Sequence, residues 1–348
     1  MFTSSTLHVS VPLTDLAVAF RADENDYLWS SLLPPKVVRK RTDLIRQIDK
    51  GQLLRKYDLR AGAGGRIQEV QFKVGSNLSF NAIDYAVQAV MRNTENMEAD
   101  EILQYTQEQM YHALIAMHTN IEVVTVKETL RSASIMTNNV TLVASQYWDN
   151  YTSLDSDPID DLKVGVLAVR VKTGKMPNII AMHEYVWDRI QRHPRVLARG
   201  PVHPQGLGIV TIEGVEKILG VDPGTIRVTA QQYNVAGEDL TADFRSMIGP
   251  DTIIAYTSPP NVREYSLGHS FMFQDGSAGG DPQLIKEIQA PFVVYEFPDN
   301  GFLDPRGATI HRLVGGLDQK VLVPEAGYLI KNCVDYTNTA AYGNFLNN

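Results

Sequence analysis

Residues 176–194 read MPNIIAMHEYVWDRIQRHP, and this stretch contains the signals of a strand, a turn and a helix. A turn signal at Pro177-Asn178 precedes the apolar run Ile179–Met182, which indicates a short buried strand. The apolar positions that follow recur at helical spacing: Val186, Trp187, Ile190. The helix should end at His193, because a residue that precedes a proline disfavours the α-helical region. The stretch therefore predicts a strand–turn–helix unit.

The same stretch begins like a zinc-protease motif, HExxH, at His183-Glu184. Two histidines four residues apart place both imidazoles on one helical face around a metal. The position of the second histidine is occupied by Trp187. The metal interpretation therefore fails, and the segment is predicted to be structural.

Composition and charge exclude several classes of protein. With 348 residues and 44% hydrophobic residues, the chain can form one large domain or two to three ordinary ones. Its formal net charge of -8 argues against a dedicated nucleic-acid binder. The single cysteine, Cys333, permits no intrachain disulfide. No secretory signal and no apolar run long enough for a membrane span is visible, so we expect a soluble intracellular protein.

The first ninety residues show little of the apolar periodicity that a compact core requires. Residues 1–33 are predicted to be an extended arm with one short helix near Thr14–Phe20. Residues 36–92 contain a basic, strand-like run, a glycine-rich break at 60–66, and an alternating segment at Ile67–Val74. This pattern predicts a charged hairpin whose apolar face is buried against another subunit.

A change of period after Asn93 predicts one long helix. Asn96 is the candidate N-cap. The apolar stripe consists of these residues: Leu103, Met110, Leu114, Met117, Ile121, Val124. About thirty helical residues would extend roughly 45 Å at 1.5 Å per residue.

Two shorter helices and several strands are predicted beyond residue 150. Asp157 and Pro158 are start signals for a helix over Ile159–Val171, which should end near Gly174. A second helix, Val215–Leu219, should end at Gly220. The predicted strands are Gly208–Ile212, Thr225–Thr229, Asp251–Tyr256, Phe292–Phe297, Ala308–Val314, Gln319–Val323 and Tyr328–Val334.

No pattern in the chain indicates catalysis. The glycine run at 60–66 is followed by a strand pattern, whereas a phosphate loop needs a helix N-terminus there. Lys172-Thr-Gly174 lacks the Ser-x-x-Lys partner of the penicillin-recognising set. Five scattered histidines lack metal-ligand spacing: His183, His193, His203, His269, His311. We therefore predict no catalytic, cofactor-binding or metal-binding residue, although a Ser/His/Asp triad stays open because its members meet only in space.

The order of elements resembles the major capsid proteins of tailed bacteriophages that have the HK97 fold. The motifs that carry this resemblance, in order, are Trp148, Ser156-Asp157-Pro158, Pro177-Asn178 and His193-Pro194. At the level of motifs the resemblance covers roughly residues 93–200. It implies an α+β fold with an arm, an extended β-hairpin loop, a peripheral domain with a long spine helix, and an axial domain.

The resemblance also implies a division of the chain and a function. The segments would be an N-terminal arm (1–33), an extended loop (34–92), a peripheral domain with the spine helix (93–160), an axial domain (161–288) and peripheral C-terminal strands (289–348). The expected function is self-assembly into hexamers and pentamers of an icosahedral phage head around double-stranded DNA.

Further expectations concern partners and location. We expect contacts with copies of itself, with a portal and with scaffolding or decoration proteins, and only non-specific contact with packaged DNA. No cofactor, membrane contact or enzymatic activity is expected. The protein should be assembled in the host cytoplasm and reside in the virion capsid. Because the chain begins directly before the arm, a separate scaffolding protein or none is expected.

Two alternatives remain at this stage. An encapsulin-like nanocompartment shell protein would share the fold but enclose enzymes. A soluble enzyme of unknown class would remain a 38.7 kDa monomer under all conditions.

Overall fold

The computed structural model describes residues 8–9, 27–48, 74–92, 102–199, 210–237, 240–259, 266–273, 293–299 and 307–335. The expectations for Thr14–Phe20, the glycine run at 60–66, the Asn96 cap and His203 lie outside these ranges.

The described helices and strands alternate along the chain. The helices are α1 Trp29–Leu32, α2 Ile102–Glu122 with a π-helical continuation Val123–Leu130, α3 Pro158–Thr173, α4 Glu184–Arg192, α5 Pro194–Arg199 and α6 Ile212–Leu219, with a 3₁₀ turn at Pro324–Ala326. The strands are β1 His8–Val9, β2 Pro35–Val38, β3 Thr42–Ile48, β4 Val74–Asn81, β5 Ile83–Arg92, β6 Asn139–Thr141, β7 Ile179–His183, β8 Ile226–Thr229, β9 Gln232–Asn234, β10 Phe244–Ser246, β11 Thr252–Ala255, β12 Gly268–Phe273, β13 Val293–Asp299, β14 Ala308–Val321 and β15 Gly327–Lys331. No helix in these ranges is long and apolar enough to cross a bilayer.

Two larger sheets organise the described part of the molecule. The first has the strand order β1-β13-β14-β12-β2, and β5 also pairs with β14. The second has the order β6-β15-β11-β7-β8. Two separate pairs complete the set, β3 with β4 and β9 with β10. Because strands from the middle and from the end of the chain share each large sheet, neither sheet corresponds to one continuous stretch of sequence.

The opening stretch folds as predicted. Strand β7 is buried along its whole length and lies between β11 and β8 in the second sheet. Helix α4 follows at once and buries Val186, Trp187 and Ile190. His193 leaves the helix with an extended backbone, as a residue before proline should. The chain then re-enters a helix, α5, because a proline is well accommodated at the first helical position.

The predicted hairpin is confirmed in its described part. Strands β3 and β4 pair antiparallel over Thr42–Ile48 and Val74–Asn81. Of the predicted alternating strand Ile67–Val74, only Val74 is described. The following strand, β5, does not belong to the hairpin, since it pairs along β14 from Ile83 to Arg92 in the first sheet.

The long helix is confirmed, but its geometry changes near the end. Helix α2 buries the predicted stripe residues Met110, Leu114, Met117 and Ile121. The continuation is a π-helix, in which the Arg131 N–H donates to Val126 O, five residues earlier. A π-helix has more residues per turn, so the seven-residue period no longer stays on one face. Val124, the last residue of the predicted stripe, is therefore only half-buried, and Val126 and Leu130 are fully buried beyond it.

Helix α3 has the predicted start and end. The Asp157 carboxylate accepts a hydrogen bond from Asp160 N at 3.3 Å, which satisfies a free N–H of the first turn. Gly174 ends the helix in the left-handed conformation at φ 75°. On its inner face α3 approaches the second sheet at Gly165, where a Cβ would lie 2.5 Å from Ile254 Cδ1.

Three strand predictions need correction. A strand over Gly208–Ile212 is wrong in its described part, because Thr211 caps helix α6 through its hydroxyl and Ile212 is the first helical residue. Ala308–Val314 and Gln319–Val323 are one continuous strand, β14. Its central Gly316 stays extended opposite Asp84, and an added Cβ would lie 3.2 Å from Phe273 Cβ. The absence of a side chain there lets β12 approach, so the strand continues through the gap left between the two predicted strands.

Separate apolar clusters stabilise the sheets. One face of the second sheet packs against α3, α4 and α6 and includes Trp148 and Trp187. The opposite face packs against α1 and the end of the π-helix through Leu28 and Leu130. Helix α2 packs on the first sheet through Leu114 and its neighbours. Helix α2, which corresponds to the predicted spine helix, therefore covers the first sheet. Its π-helical continuation also contacts the second sheet.

Candidate assembly surfaces and the contacts that hold them

The segment that resembled a zinc motif is a helix start. His183 is 2% exposed, and its Nδ1 accepts a hydrogen bond from Tyr185 N at 3.2 Å, which caps α4. Burial lowers the pKa of His183 to about 4, so the imidazole is neutral at pH 7. Glu184 is exposed and Trp187 packs in the core. In the described ranges no group of three or more His, Cys, Asp or Glu side chains could hold a metal ion.

His193 is part of a hydrogen-bonded chain that fixes a loop. Its Nδ1 accepts from Arg195 N at 3.3 Å, and burial lowers its pKa. The neutral ring therefore carries its proton on Nε2 and donates to Ser156 Oγ at 3.1 Å. Ser156 Oγ in turn donates to Tyr147 O at 2.8 Å. These hydrogen bonds join the start of α5 to the loop that precedes α3.

The other singled-out residues also have structural surroundings. His269 Nδ1 lies 3.3 Å from Pro34 O, and His311 is buried in β14. Cys333 is fully buried, with Sγ 3.3 Å from Thr252 Oγ1, and burial raises the pKa of its thiol. Lys172 and Gly174 lie at the C-terminal end of α3.

A bidentate ion pair locks α3 to α5. Arg199 contacts both carboxylate oxygens of Asp157, at 2.8 Å and 3.0 Å. Arg195 lies 3.4 Å from the same carboxylate. Asp157 is nearly buried, so this paired geometry is less screened than an exposed pair. Sequence patterns identified Asp157 as a helix cap but not as the partner of two arginines forty residues away.

Trp148 anchors the loop between β6 and α3. Its ring is fully buried, and Nε1 donates to Asp161 Oδ2 at 2.8 Å. Burial raises the pKa of Asp161, and the indole hydrogen bond opposes this shift. The tryptophan noticed in sequence therefore ties the loop to the first turn of α3.

A buried glutamate joins the chain before β2 to the spine helix. Glu122 Oε2 accepts from Trp29 N at 2.7 Å and Oε1 accepts from Leu28 N at 3.1 Å. These N–H groups start α1, which has no side-chain cap of its own. Burial raises the pKa of Glu122 to about 7, although the two N–H groups act against the shift. Sequence analysis missed this residue, because a glutamate at a helical position is usually exposed.

A second buried carboxylate joins the spine helix to the second sheet. Asp251 Oδ2 lies 2.7 Å from Arg131 Nε, and Oδ1 accepts from Asn332 N at 3.0 Å. Asn332 has a left-handed backbone with φ 59°, a conformation that asparagine tolerates better than most residues. The contact fixes the end of the π-helix relative to β11 and β15.

One helix has apolar residues on its outer face as well as on its inner face. The outer residues of α3 follow i, i+3 and i+7 spacing: Val164, Leu167, Val171. Each is more than half exposed, while the opposite face buries Leu162, Val166 and Val169. An apolar stripe of this kind on a helix is a candidate surface for contact with another molecule.

The hairpin region also exposes apolar side chains. Val37, Leu44 and Ile83 are each more than half exposed, on β2, β3 and β5. Arg41 pairs with Asp84 at 2.7 Å across the base of the hairpin, and its guanidinium lies 4.9 Å from the Phe273 ring centroid. The hairpin base is therefore fixed to the first sheet, while Leu44 on the hairpin and Val37 and Ile83 on the adjoining strands stay exposed.

The fold is similar to that of solved phage-related proteins. A phage-related protein from Bordetella bronchiseptica RB50 matches with a TM-score of 0.67 at 19% identity, covering 93% of this chain and 97% of that one. A putative capsid protein of a prophage in Escherichia coli CFT073 matches with a TM-score of 0.52 at 12% identity, covering 93% and 99%. The chain has an α+β, HK97-type capsid fold, which confirms the predicted fold class.

A sequence relative gives the same indication over a shorter length. The major capsid protein of Burkholderia phage BcepMu is 26% identical over 113 residues, which is 31% of this chain. The match spans 33% of the length of that relative. No protein-family model matches the chain.

Proposed function

We propose that the chain is a major capsid protein that self-assembles into the hexamers and pentamers of an icosahedral phage head enclosing double-stranded DNA. The observation that carries this proposal is the capsid fold, which covers 93% of the chain in the match to the prophage capsid protein. The partial sequence match to a phage major capsid protein supports it.

The distribution of apolar surface supports assembly. The outer stripe of α3 and the hairpin both expose large apolar residues on rigidly held elements. Association must overcome the loss of rigid-body freedom for every copy, so several contacts per subunit are needed. Different surfaces of one subunit that bind different surfaces of its neighbours form heterologous interfaces, and these generate rings and closed shells.

Each segment of the chain has its own proposed place in the capsid subunit. We assign the arm to 1–33, the extended loop to 34–92, the spine-helix part of the peripheral domain to 93–160, the axial domain to 161–288 and the peripheral C-terminal strands to 289–348. In support, β13 and β14 lie in the first sheet under the spine helix, and β7, β8 and β11 lie in the second sheet with α3, α4 and α6. Strands β5 and β12 are exceptions, since they lie in the first sheet although their residues fall in the ranges 34–92 and 161–288. Strands β6 and β15 also lie in the second sheet, so the two domains exchange strands at their junction.

The role we propose is structural. The carboxylates and histidines that sequence could have suggested as chemical groups hold elements together instead: Asp157, Asp251, His183 and His193. Portal, scaffolding and decoration proteins are the further partners of such a shell, and packaged DNA would contact its lining without base recognition. Its location would be the virion capsid after assembly in the host cytoplasm.

Purification of the chain followed by size-exclusion chromatography and electron microscopy tests the proposal. We expect particles or capsomers in addition to free subunits, and particles isolated from infected or induced cells should contain DNA and one portal vertex. Shells that contain enzymes would instead identify a nanocompartment. A lone 38.7 kDa species under all assembly conditions would contradict any shell function.

A further inference from the structure

The loop before α3 presents one apolar side chain to solvent. Leu154 is 85% exposed, the largest exposed fraction among the large hydrophobic residues of the described ranges. Asp155 follows it and is also exposed. We call the pair Leu154-Asp155 the knob.

The knob is held in place by the loop that carries it. The Arg195 guanidinium donates to Leu154 O, and Asp155 N donates to Ser153 Oγ at 3.2 Å. Before the knob in sequence, Asn150 Nδ2 donates to Ala144 O at 3.2 Å. After the knob, Ser156 is held by its hydrogen bond with His193. An apolar residue at a loop tip with this many backbone contacts is preorganised, so a partner that binds it loses little conformational entropy.

A groove at the base of the hairpin has complementary properties. Its volume is about 450 Å³, and its apolar lining consists of Val38, Leu44, Ile45, Phe80 and Phe271. Phe80 and Phe271 stack with ring centroids 4.7 Å apart. Its charged lining is Lys36, Arg39, Lys40 and Asp43, of which Lys40 and Asp43 pair at 3.6 Å. The groove therefore joins an apolar surface to a net positive rim.

One charge at the groove and one at the knob have no ion pair in the part of the chain that the structure describes. Arg39 has no ion pair within the described parts of the chain, and neither does the Asp155 carboxylate. Lys36 Nζ lies 5.9 Å from the Phe271 ring centroid, on the groove side. An apolar residue followed by an acid is the sequence that an apolar groove with a basic rim should accept.

We propose that the knob of one copy docks in the groove of a neighbouring copy, with Leu154 on the apolar lining and Asp155 beside Arg39. This inference rests on the proposed shell function and identifies one of its contacts. The occupant is a second copy because this chain itself supplies a knob whose polarity and charge match the groove. The contact is heterologous, so it can be repeated around a ring of subunits.

Disulfide trapping tests the contact directly. In the double variant Leu44→Cys and Leu154→Cys, oxidation of assembled particles with copper–phenanthroline should give a ladder of covalent multimers on non-reducing gels. A disulfide needs Cβ atoms about 3.5–4.5 Å apart, so it forms only if the two positions meet. The native Cys333 is fully buried and should not contribute.

A matched control uses another exposed apolar residue. Val143 is 57% exposed and belongs to the same β6–α3 connection, so Leu44→Cys with Val143→Cys has an exposed thiol outside the knob. Each single-cysteine variant should stay monomeric on the gel. Equal ladders in the Val143 control, or no ladder in assembled Leu44→Cys and Leu154→Cys particles, would overturn the proposal.

A charge exchange provides a second test that does not depend on cysteines. Arg39→Asp or Asp155→Arg alone should raise the subunit concentration needed for assembly about fivefold, as expected for loss of one exposed ion pair. The double exchange Arg39→Asp with Asp155→Arg should restore assembly, and added salt should reduce the difference. Failure of the double exchange to restore assembly would contradict the contact.

The two tests separate this inference from the proposed function. Unmodified protein that forms no particles would contradict the shell function. Normal particles from the unmodified protein and from both single charge variants would leave the shell function intact and overturn only the knob–groove contact.

Discussion

At the scale of single residues, buried carboxylates connect parts of the chain that are far apart in sequence. Glu122 holds the backbone at Leu28 and Trp29, Asp251 holds Arg131 and Asn332, and Asp157 holds two arginines of α5. Each carboxylate receives two or more donors, which a buried charge requires. The removal of one of these carboxylates would therefore leave buried donors unpaired.

Glu122 makes the free energy of unfolding depend on pH in a defined direction. Its pKa in the folded protein is about 7, above the ordinary 4.5, so between these values the folded state binds more protons than the unfolded state. Stability from this residue is therefore present at low pH and is lost as pH rises from 4.5 through 7. At about 1.4 kcal/mol per pKa unit the loss amounts to roughly 3 kcal/mol at most.

The Glu122→Gln variant isolates this effect. Urea unfolding of unassembled subunits should show the wild type losing stability relative to the variant between pH 5 and pH 7.5. The control Glu128→Gln changes an exposed glutamate of the adjoining π-helix and should not alter the pH dependence. A constant difference between wild type and Glu122→Gln across this range would contradict the account.

At the scale of elements, helices α2 and α3 have opposite roles. In its described part, helix α2 packs an apolar stripe on the first sheet. Helix α3 buries one face on the second sheet and exposes a second apolar stripe. We therefore expect substitutions on α2 to affect folding and substitutions on the outer face of α3 to affect assembly.

Substitution of Leu114 by Asp should prevent folding. Leu114 is fully buried in α2, and an unpaired carboxylate there has no partner to offset its desolvation. The variant Ala116→Asp, at an exposed position of the same helix, should cost less than about 1 kcal/mol, which is the range of helix propensity. Circular dichroism and thermal unfolding measure both, and a cooperative, native-like melt of Leu114→Asp would show that α2 does not form the core described.

Substitution of Leu167 by Asp should leave the subunit folded and impair assembly. Leu167 is 57% exposed, so its replacement buries no charge within one subunit but places one in an interface. Val143→Asp, at the same exposed fraction but in the loop outside α3, is the control. Light scattering follows assembly and thermal unfolding follows the fold. If folded Leu167→Asp subunits assembled normally, the outer apolar stripe of α3 would not be an assembly contact.

Signals within a few residues predicted the elements whose formation depends only on those residues. The cap at Asp157, the stop at Gly174 and the unit at 176–194 follow from side chains within a few positions, and all are present. The π-helix after Glu122 was not predictable, because an added residue per turn leaves no local signature. Strand β14 was predicted as two strands with a gap at residues 315–318, and only the pairing with β5 and β12 shows that these residues are extended.

The candidate surfaces were less predictable than the fold. A hairpin that contacts a neighbour was expected from its charge pattern and weak core, but the groove at its base needs Phe271, which belongs to a strand that sequence analysis missed. The outer stripe of α3 was hidden because an apolar residue on a helix is first assigned to the core. Its exposure becomes evident only when the sheet on the opposite face is known.

At the scale of the whole molecule, the described parts form a subunit whose two sheets are joined by long-range contacts and whose exposed apolar residues lie on several different elements. The Asp251–Arg131 pair and the Glu122 contacts fix the spine helix relative to its surroundings. The stripe of α3, the knob and the groove are then presented in one relative arrangement. A subunit with several distinct surfaces in a fixed arrangement is suited to heterologous assembly into a closed shell.

A cryo-electron microscopy reconstruction of particles assembled from the purified chain tests this claim most directly. The account predicts a closed icosahedral shell in which every position has this fold, the outer face of α3 is covered, and the hairpin of each subunit lies on a neighbour. Particles without closed symmetry, or a subunit that remains monomeric with these surfaces in solvent, would contradict it.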